Sequence, residues 1–483
     1  MERSIEPRAS SSEKLQKCSH GNDASPVDRI SNLPEPIICH ILSFLPTKFA
    51  VGTSILSKSW QFLWAKVNTL DFNDELLLNS DEEEDEDDEF AGGGDGDGEN
   101  KNFEEFVNSV FIRHKSVTLE KFRLRWRRGG CHAGYINTWF RDAIARNVKV
   151  IDLNVDYPDS AYVTQDIGFV YHLPGTLFTC KTLEFLSLEG PFLFKIPAMV
   201  CLPKLAVLQL IKVSYEIGSD ESFCNFISSC LVLDSLSITR SSGDNLIVCA
   251  ISSRSLRFLQ LHFYSAFLSH WSETERLTID APALEHLIWR DEVSRIFSLQ
   301  GLSSLSKVQL GLHALKCYSD CYNLVVKQVE AVNCAKSLEL TRWTSIALAC
   351  ATTSVSTRFE NLTELCITCR CCGWSFLNDL MDCAKKLEVL RITIGSSCKR
   401  KHKRCWRKPT DVLECLLHSL VQVSFTGFEG LKHELELIRY ILKHGSVMKR
   451  VNLDIEAASR DSLLQEKISM FPRISHSCRI KFS

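Results

Sequence analysis

LEFLSL, residues 183–188, decides how this chain is read, because the same phrase returns along most of its length. Copies run LEKFRL from Leu119, VKVIDL ending at Leu153, LAVLQL from Leu205, LDSLSI from Leu233 and LRFLQL from Leu256. They continue as LEHLIW from Leu284, LSKVQL from Leu305, LTELCI from Leu362 and LEVLRI from Leu387. The last apolar residues of each copy alternate with one polar residue, the periodicity of a strand with one face buried. Between copies, segments such as Asp220 to Cys230 and Ser375 to Ala384 carry apolar residues at helical spacing. Strand plus helix, repeated, predicts a stacked solenoid over residues 103–410, since one repeat cannot bury its own apolar face and its neighbours can.

The copies start mostly about 21 to 35 residues apart, near the upper end of leucine-rich-repeat spacing. A doubly wound α/β sandwich is the competing fold. It is disfavoured because no strand leads into a G-x-G-x-x-G turn and the strands are short and alike.

Upstream, residues 28–72 hold LPEPIICHILSFLPTKFAVGTSILSKSWQFLW from Leu33 to Trp64. A first helical run opens at Leu33-Pro34, where proline suits the first turn, and carries Ile37, Ile38, Ile41, Leu42 and Leu45. Pro46-Thr47 breaks it and offers a Thr N-cap for a second run with Val51, Ile55 and Leu56. A third short run carries Trp60, Leu63 and Trp64. Three short helices cannot hide this much apolar surface, so a partner is expected to cover the remainder.

The phrases DRISNLP, ILSFLPTK and ILSKSWQFLW resemble the F-box, and the plant F-box/leucine-rich-repeat family in particular. The segment from Asp411 to Glu456 changes character: a strand Val421 to Phe425, an amphipathic helix with Leu435, Ile438, Ile441 and Leu442, a stop at His444-Gly445, and a strand Val447 to Ile455. It resembles the FBD region that closes many of those proteins, and residues 411–483 are expected to form an α+β cap on the solenoid. Fold class is thus α/β: a short helical F-box bundle, then an irregular leucine-rich-repeat solenoid, then that cap.

The resemblance implies a substrate-recognition subunit of an SCF-type cullin ubiquitin ligase. Leu33, Pro34, Ile37, Ile38, Ile41, Leu42, Leu45, Pro46, Leu56, Trp60, Leu63 and Trp64 would support or contact a Skp-type adaptor and through it cullin. A protein target would lie on the concave side of the repeats, where positions three, five and seven of the phrase face. That nominates Phe185, Ser187, Glu189, Val207, Gln209, Ile211, Phe258, Gln260, His262, His286, Ile288 and Arg290. Gly52 and Ser59 stand where the family usually has arginines, and Pro36 where an acidic or apolar residue is usual. They motivate an alternative, a repeat scaffold whose F-box has lost ligase recruitment.

Composition is ordinary for a globular protein, 45% apolar and 24% charged. Net charge is −3, but Asp81 to Glu89 is an unbroken acidic run, and the rest of the chain is mildly basic. Residues 1–27 read as a disordered tail, and 73–102 as an acidic, glycine-rich disordered linker. Asp95 to Glu99 lacks the ligand order of a calcium loop, and carboxylates beside Gly92 to Gly94 would repel phosphate. The N-terminus has no apolar signal core and no run approaches a membrane span. The nucleus or cytoplasm is therefore expected, with the 21 cysteines reduced.

No G-x-S-x-G, P-loop or H-E-x-x-H occurs, so no enzyme is expected. Cys366, Cys369, Cys371 and Cys372, with Cys350 and Cys383, are the best metal candidate, yet Cys366 and Cys369 would point to opposite faces of a strand, and no metal or other cofactor is expected. Lys399 to Arg404, with Arg407 and Lys408, is a basic run that suits either nuclear import or a solvated loop. The Arg123, Arg125, Arg127 and Arg128 patch around Trp126 lacks a nucleic-acid fold, and direct nucleic-acid binding is not expected.

Overall fold

Alternation of buried and half-buried residues at period two runs through most described strands, and most of these strands join one sheet. The computed structural model describes residues 30, 33–77, 96–127, 133–156, 170–240, 244–263, 276–291, 296–313, 319–369, 374–395, 406–455 and 462–483. The tail, the acidic run, Gly92 to Gly94, Arg128, Cys371, Cys372 and Lys399 to Arg404 lie outside them.

The main sheet has 15 strands, all parallel, ordered as they occur along the chain. All ten phrases supply strands, from Lys121–Trp126 through Phe185–Glu189 and His286–Asp291 to Val389–Ile394. Five more strands join them. Ser337–Leu340 fills the one oversized interval, between Leu305 and Leu362. Thr69–Asn73 opens the sheet, and Gln422–Phe428, Arg450–Ile455 and Arg479–Phe482 close it. The C-terminal α+β unit thus continues the repeat itself on the same sheet.

Helices such as Asp220–Ser229, Leu377–Cys383 and Lys432–His444 cross between strands and bury one face against the sheet. Elsewhere short second strands replace them, in the small parallel sheets Tyr171–His172, Phe192–Phe194, Ser214–Tyr215 and Val248–Ser252, Arg276–Asp280, Ile296–Gln300. On the helix side, residues such as Leu186, Leu188, Leu259, Leu261, Val308 and Leu310 are inaccessible to water, each such burial contributing about 1.5–3 kcal/mol. One continuous apolar core runs from Ala50 to Cys478. Gly190 turns the chain out of Phe185–Glu189 at φ +124°, where a Cβ would sit 1.9 Å from the Val155 carbonyl oxygen.

The stretch expected to be a linker, 73–102, is structured at both ends. Asn73 ends a strand, Asp74–Leu77 forms a 3-10 turn, and a helix spans Gly96–Arg113. The reason lies downstream: Phe103, Val107 and Val110 are buried, Phe103 packs edge-on to Trp126 at 4.7 Å, and Phe111 stacks on Trp139 at 6.2 Å. Once those turns are fixed, each residue added backward gains a backbone bond at little further cost.

That helix also fastens the F-box-like unit to the repeats. Lys115 N–H donates to the Ala65 carbonyl at 2.7 Å. Arg146 donates to His114 Nδ1 at 2.7 Å, which makes Nδ1 the acceptor and leaves Nε2–H to donate to the Val67 carbonyl at 2.8 Å. Burial, with a smaller contribution from the Arg146 charge, lowers the His114 pKa to about 4. Below pH 6.5 the unfolded chain takes up a proton that the folded chain refuses until about pH 4, so this stabilisation is present at neutral pH and lost as pH falls through that window. The slope from this one group is at most about 1.4 kcal/mol per pH unit. Thermal melts should show His114→Gln less stable than wild type at pH 7.5, with the gap narrowing towards pH 5; parallel pH profiles would exclude this role.

Candidate docking surfaces

The F-box-like unit divides its apolar residues between two faces because its helices are short and apolar almost all round. Helix Glu35–Leu42 follows Pro34, with Pro36 in its first turn, where no intrahelical donor is lost. Helix Thr47–Gly52 follows, then 3-10 turns Thr53–Ile55 and Leu63–Lys66 in place of a third α-helix. Thr47 is the first helical residue and not the N-cap. Its Oγ1 instead accepts the Asp71 N–H at 2.8 Å, and Thr69 Oγ1 donates to the Ser43 carbonyl at 3.0 Å, tying the unit to the first strand of the sheet.

Ile38, Leu42, Trp60, Leu63 and Val67 form a small core of their own, flanked by Leu33 and Cys39, while Ala50, Trp64 and Ala65 belong to the main core. Five of the residues nominated for adaptor contact, Ile38, Leu42, Trp60, Leu63 and Trp64, are therefore buried inside the chain and can only support a docking face. Leu33 and Pro46 are half-buried. Pro34, Ile37, Ile41, Leu45 and Leu56 are exposed. Sequence reasoning missed Phe44, Phe49 and Ile55; Phe44 is 75% and Ile55 89% exposed. The signal was in the spacing: Ile37, Ile41 and Phe44 follow the i, i+4, i+7 stripe one position off the buried Ile38 and Leu42. Lys48 Nζ donates to the Leu76 carbonyl, and Lys66 pairs with Glu35 at 2.6 Å, so both cations have partners within the chain.

The second surface is the sheet face turned away from the helices. Strand register lines its side chains into rows. One row reads Val150, Phe185, Val207, Ser235, Phe258, His286, Lys307, and the next Asp152, Ser187, Gln209, Ser237, Gln260, Ile288, Gln309. A third holds Glu189, Ile211, Thr239, His262 and Arg290. The twelve nominated residues all stand in these rows. His286 and Arg290 are exposed, and the others half-buried except Ser187, whose short side chain between Asp152 and Gln209 is buried. Val150, Asp152, Ser235, Ser237, Thr239, Lys307 and Gln309 complete these rows and were not nominated.

Polar side chains bridge adjacent strands across this face. Asp71 meets Lys121 at 3.7 Å and Arg123 at 3.4 Å, Arg123 meets Asp152 at 2.8 Å, and Asn154 donates to Glu189 at 2.7 Å. Arg290 donates to Gln309 at 3.2 Å, Gln309 to Glu339 at 2.7 Å, and Arg391 pairs with Glu364. The Arg290 side chain lies across Gly311, where a Cβ would come within 2.7 Å of its Cγ. Burial, then the Arg290 charge, lowers the His262 pKa to about 4.

Cys366 stands on this open face and Cys369 is buried on the other. No group of three or more potential metal ligands occurs among the described residues. Burial raises Cys230, Cys249 and Cys415 to about 12, the behaviour of small hydrophobes. No described helix is long and apolar enough to cross a membrane.

Comparison with known proteins matches three family models in order: an F-box domain over residues 30–72, the LRR repeats of an FBD-associated F-box protein over 136–320, and FBD over 408–453. Similar proteins of Arabidopsis thaliana include the F-box/FBD/LRR-repeat protein At5g56420, 28% identical over 94% of this chain and 99% of its own length. F-box/FBD/LRR-repeat protein At3g52680 is 29% identical over 94% of this chain and 93% of its own length. F-box domains generally bind Skp-type adaptors, F-box/LRR proteins are typically non-catalytic adaptors, and the domain set implies substrate recognition in ubiquitin ligase complexes. With an F-box, leucine-rich repeats and an FBD matched in this order, the chain carries the domain set of the Arabidopsis F-box/FBD/LRR-repeat proteins, to which it is similar over most of its length.

Proposed function

We propose that this protein is the substrate-recognition subunit of an SCF-type ligase, docking a Skp-type adaptor through the exposed F-box face and a protein target through the open face of the sheet. The observation that carries this reading is the uncovered apolar patch of Ile37, Ile41, Phe44, Leu45, Phe49, Ile55 and Leu56, on a module whose other side is fused into the main core. Isolated exposed apolar residues are ordinary, but seven large ones within residues 37–56 of one short module mark an interface. Target contacts would come from Phe258 and Ile288, with Gln260, His286 and Arg290 giving polar selectivity. The chain itself then makes no covalent chemistry. It raises the effective concentration of target lysines near a recruited conjugating enzyme, leading to ubiquitination and proteasomal degradation in the nucleus or cytoplasm.

Wild type should co-purify with a Skp-type adaptor. Ile41→Asp with Leu45→Asp should lose at least about a hundredfold in affinity, because each carboxylate would be desolvated without a partner. A folded wild-type protein that binds no adaptor would leave the scaffold reading in its place.

Gly52 is the weak point of this face. It ends helix Thr47–Gly52 in helical conformation, and a Cβ there meets nothing within 4 Å. Gly52→Ala should therefore raise stability by about 0.4–1 kcal/mol through the unfolded chain. In urea titrations the midpoint should rise at unchanged slope, with adaptor affinity kept; a lower midpoint would show that the glycine is required.

A further inference from the structure

The main sheet has two edges, and among the described residues only one of them is covered. At Thr69–Asn73 the F-box supplies hydrogen-bonding partners from Thr47 and Ser43. At the other edge, Arg479–Phe482 pairs inward with Arg450–Ile455, the N–H groups of Arg479 and Ser483 donating to Lys449 and Leu453 at 3.0 Å. In a parallel ladder the alternate residues, Ile480 and Phe482, then turn their N–H and C=O outward. Among the described residues no strand meets them.

Two further observations concern the same terminal layer. On the open face Arg479 stands beside Arg450, and Lys481 beside Asn452. All three cations are exposed, and among the described residues none forms an ion pair; Asp454, the acid on the same strand as Arg450, pairs with none of them. This contrasts with the opposite end of the sheet, where Asp71, Lys121, Arg123 and Asp152 neutralise one another. On the helix side, Leu463, Met470 and Ile474 are 68%, 80% and 54% exposed, and a groove of about 400 Å³ runs between Leu463, Met470, Phe471 and Arg439.

Unpaired main-chain groups call for an extended segment, and the flanking side chains specify which one. We propose that the Arg479–Phe482 edge is a second recognition surface, separate from any ligase role, that receives an extended acidic segment of another protein as an added strand. Side chains of such a strand alternate between faces, so its acidic residues would meet Arg450, Arg479 and Lys481 while its apolar ones cover the exposed helix-side residues. A second copy of this chain is the wrong occupant. Edge-to-edge pairing of two copies would set Arg479 and Lys481 against their own kind, and like charges directly opposite are destabilising.

The test uses the full-length chain and fluorescein-labelled peptides of about ten residues, enough to span a strand. One alternates Glu and Val, one Lys and Val, and one Glu and Ser. Fluorescence anisotropy should show the Glu/Val peptide binding at least about tenfold tighter than either other, and weakening as salt rises. Arg479→Glu with Lys481→Glu should reverse the preference towards Lys/Val. Phe482→Pro, which removes an outward donor and keeps the inward ladder, should abolish binding of both. Adaptor co-purification should be intact in every variant, since the F-box lies at the opposite edge; this separates failure here from failure of the ligase reading. Equal binding of acidic and basic peptides, an order unchanged by charge reversal, or a concentration-dependent dimer lost in the double variant would overturn the proposal.

Discussion

A strand and a helix of this size cannot bury the apolar side of the strand alone; only the next repeat can finish the work. Everything else in the molecule depends on that constraint. It forces the strands to follow chain order, because each must find its neighbour within one crossover. It also gives the sheet one water-free side, where Leu186, Leu259 and Leu310 stand in continuous rows, and one side free to vary. And it makes the two ends problems to be solved separately.

The N-terminal solution joins two functions in one piece of protein. Thr69–Asn73 is at once the last element of the F-box and the first strand of the sheet, and its edge bonds to Thr47 and Ser43 leave no hinge between the modules. His114, held neutral between Arg146 and Val67, adds a second tie from the helix side. Trp64 and Ala65 enter the main core while Trp60 and Leu63 close the small one. The docking face is thus fixed relative to the repeat rows by a shared sheet and a shared core.

Where the sequence announced a feature, it did so through periodicity, and where it was silent, the physical reason can be named. Ten strands were legible because Leu recurs at the first, fourth and sixth places of a phrase. Ser337–Leu340 was not, since its phrase AKSLEL opens on alanine, although the interval from Leu305 to Leu362 is twice the usual one. Thr69–Asn73 hid inside the end of another motif, and Arg479–Phe482 carries too few apolar residues to stand out. On the docking face the family pattern marked Ile41 and Leu45 together with Trp60 and Trp64. It could not separate them, because a helix that is apolar on two sides gives the same letters to its core and to its interface. Only packing divides Ile38 from Ile37.

That division bears on how such a protein would act. A ligase subunit that works by proximity gains only as much as its geometry is held, because effective concentration falls as the span between two bound partners becomes free to vary. Here the exposed F-box face and the repeat rows are joined by the Lys115 to Ala65 backbone bond, the Asp71 N–H to Thr47 bond and a continuous core. The described chain stops at Leu77 and resumes in helix Gly96–Arg113, whose Phe106 and Phe111 pack on Phe72 of the first strand. The described residues on either side of positions 78–95 therefore meet at one junction, beside the first strand. Changing the length of that intervening segment should leave the geometry of transfer alone, whereas loosening Thr47 or His114 should not.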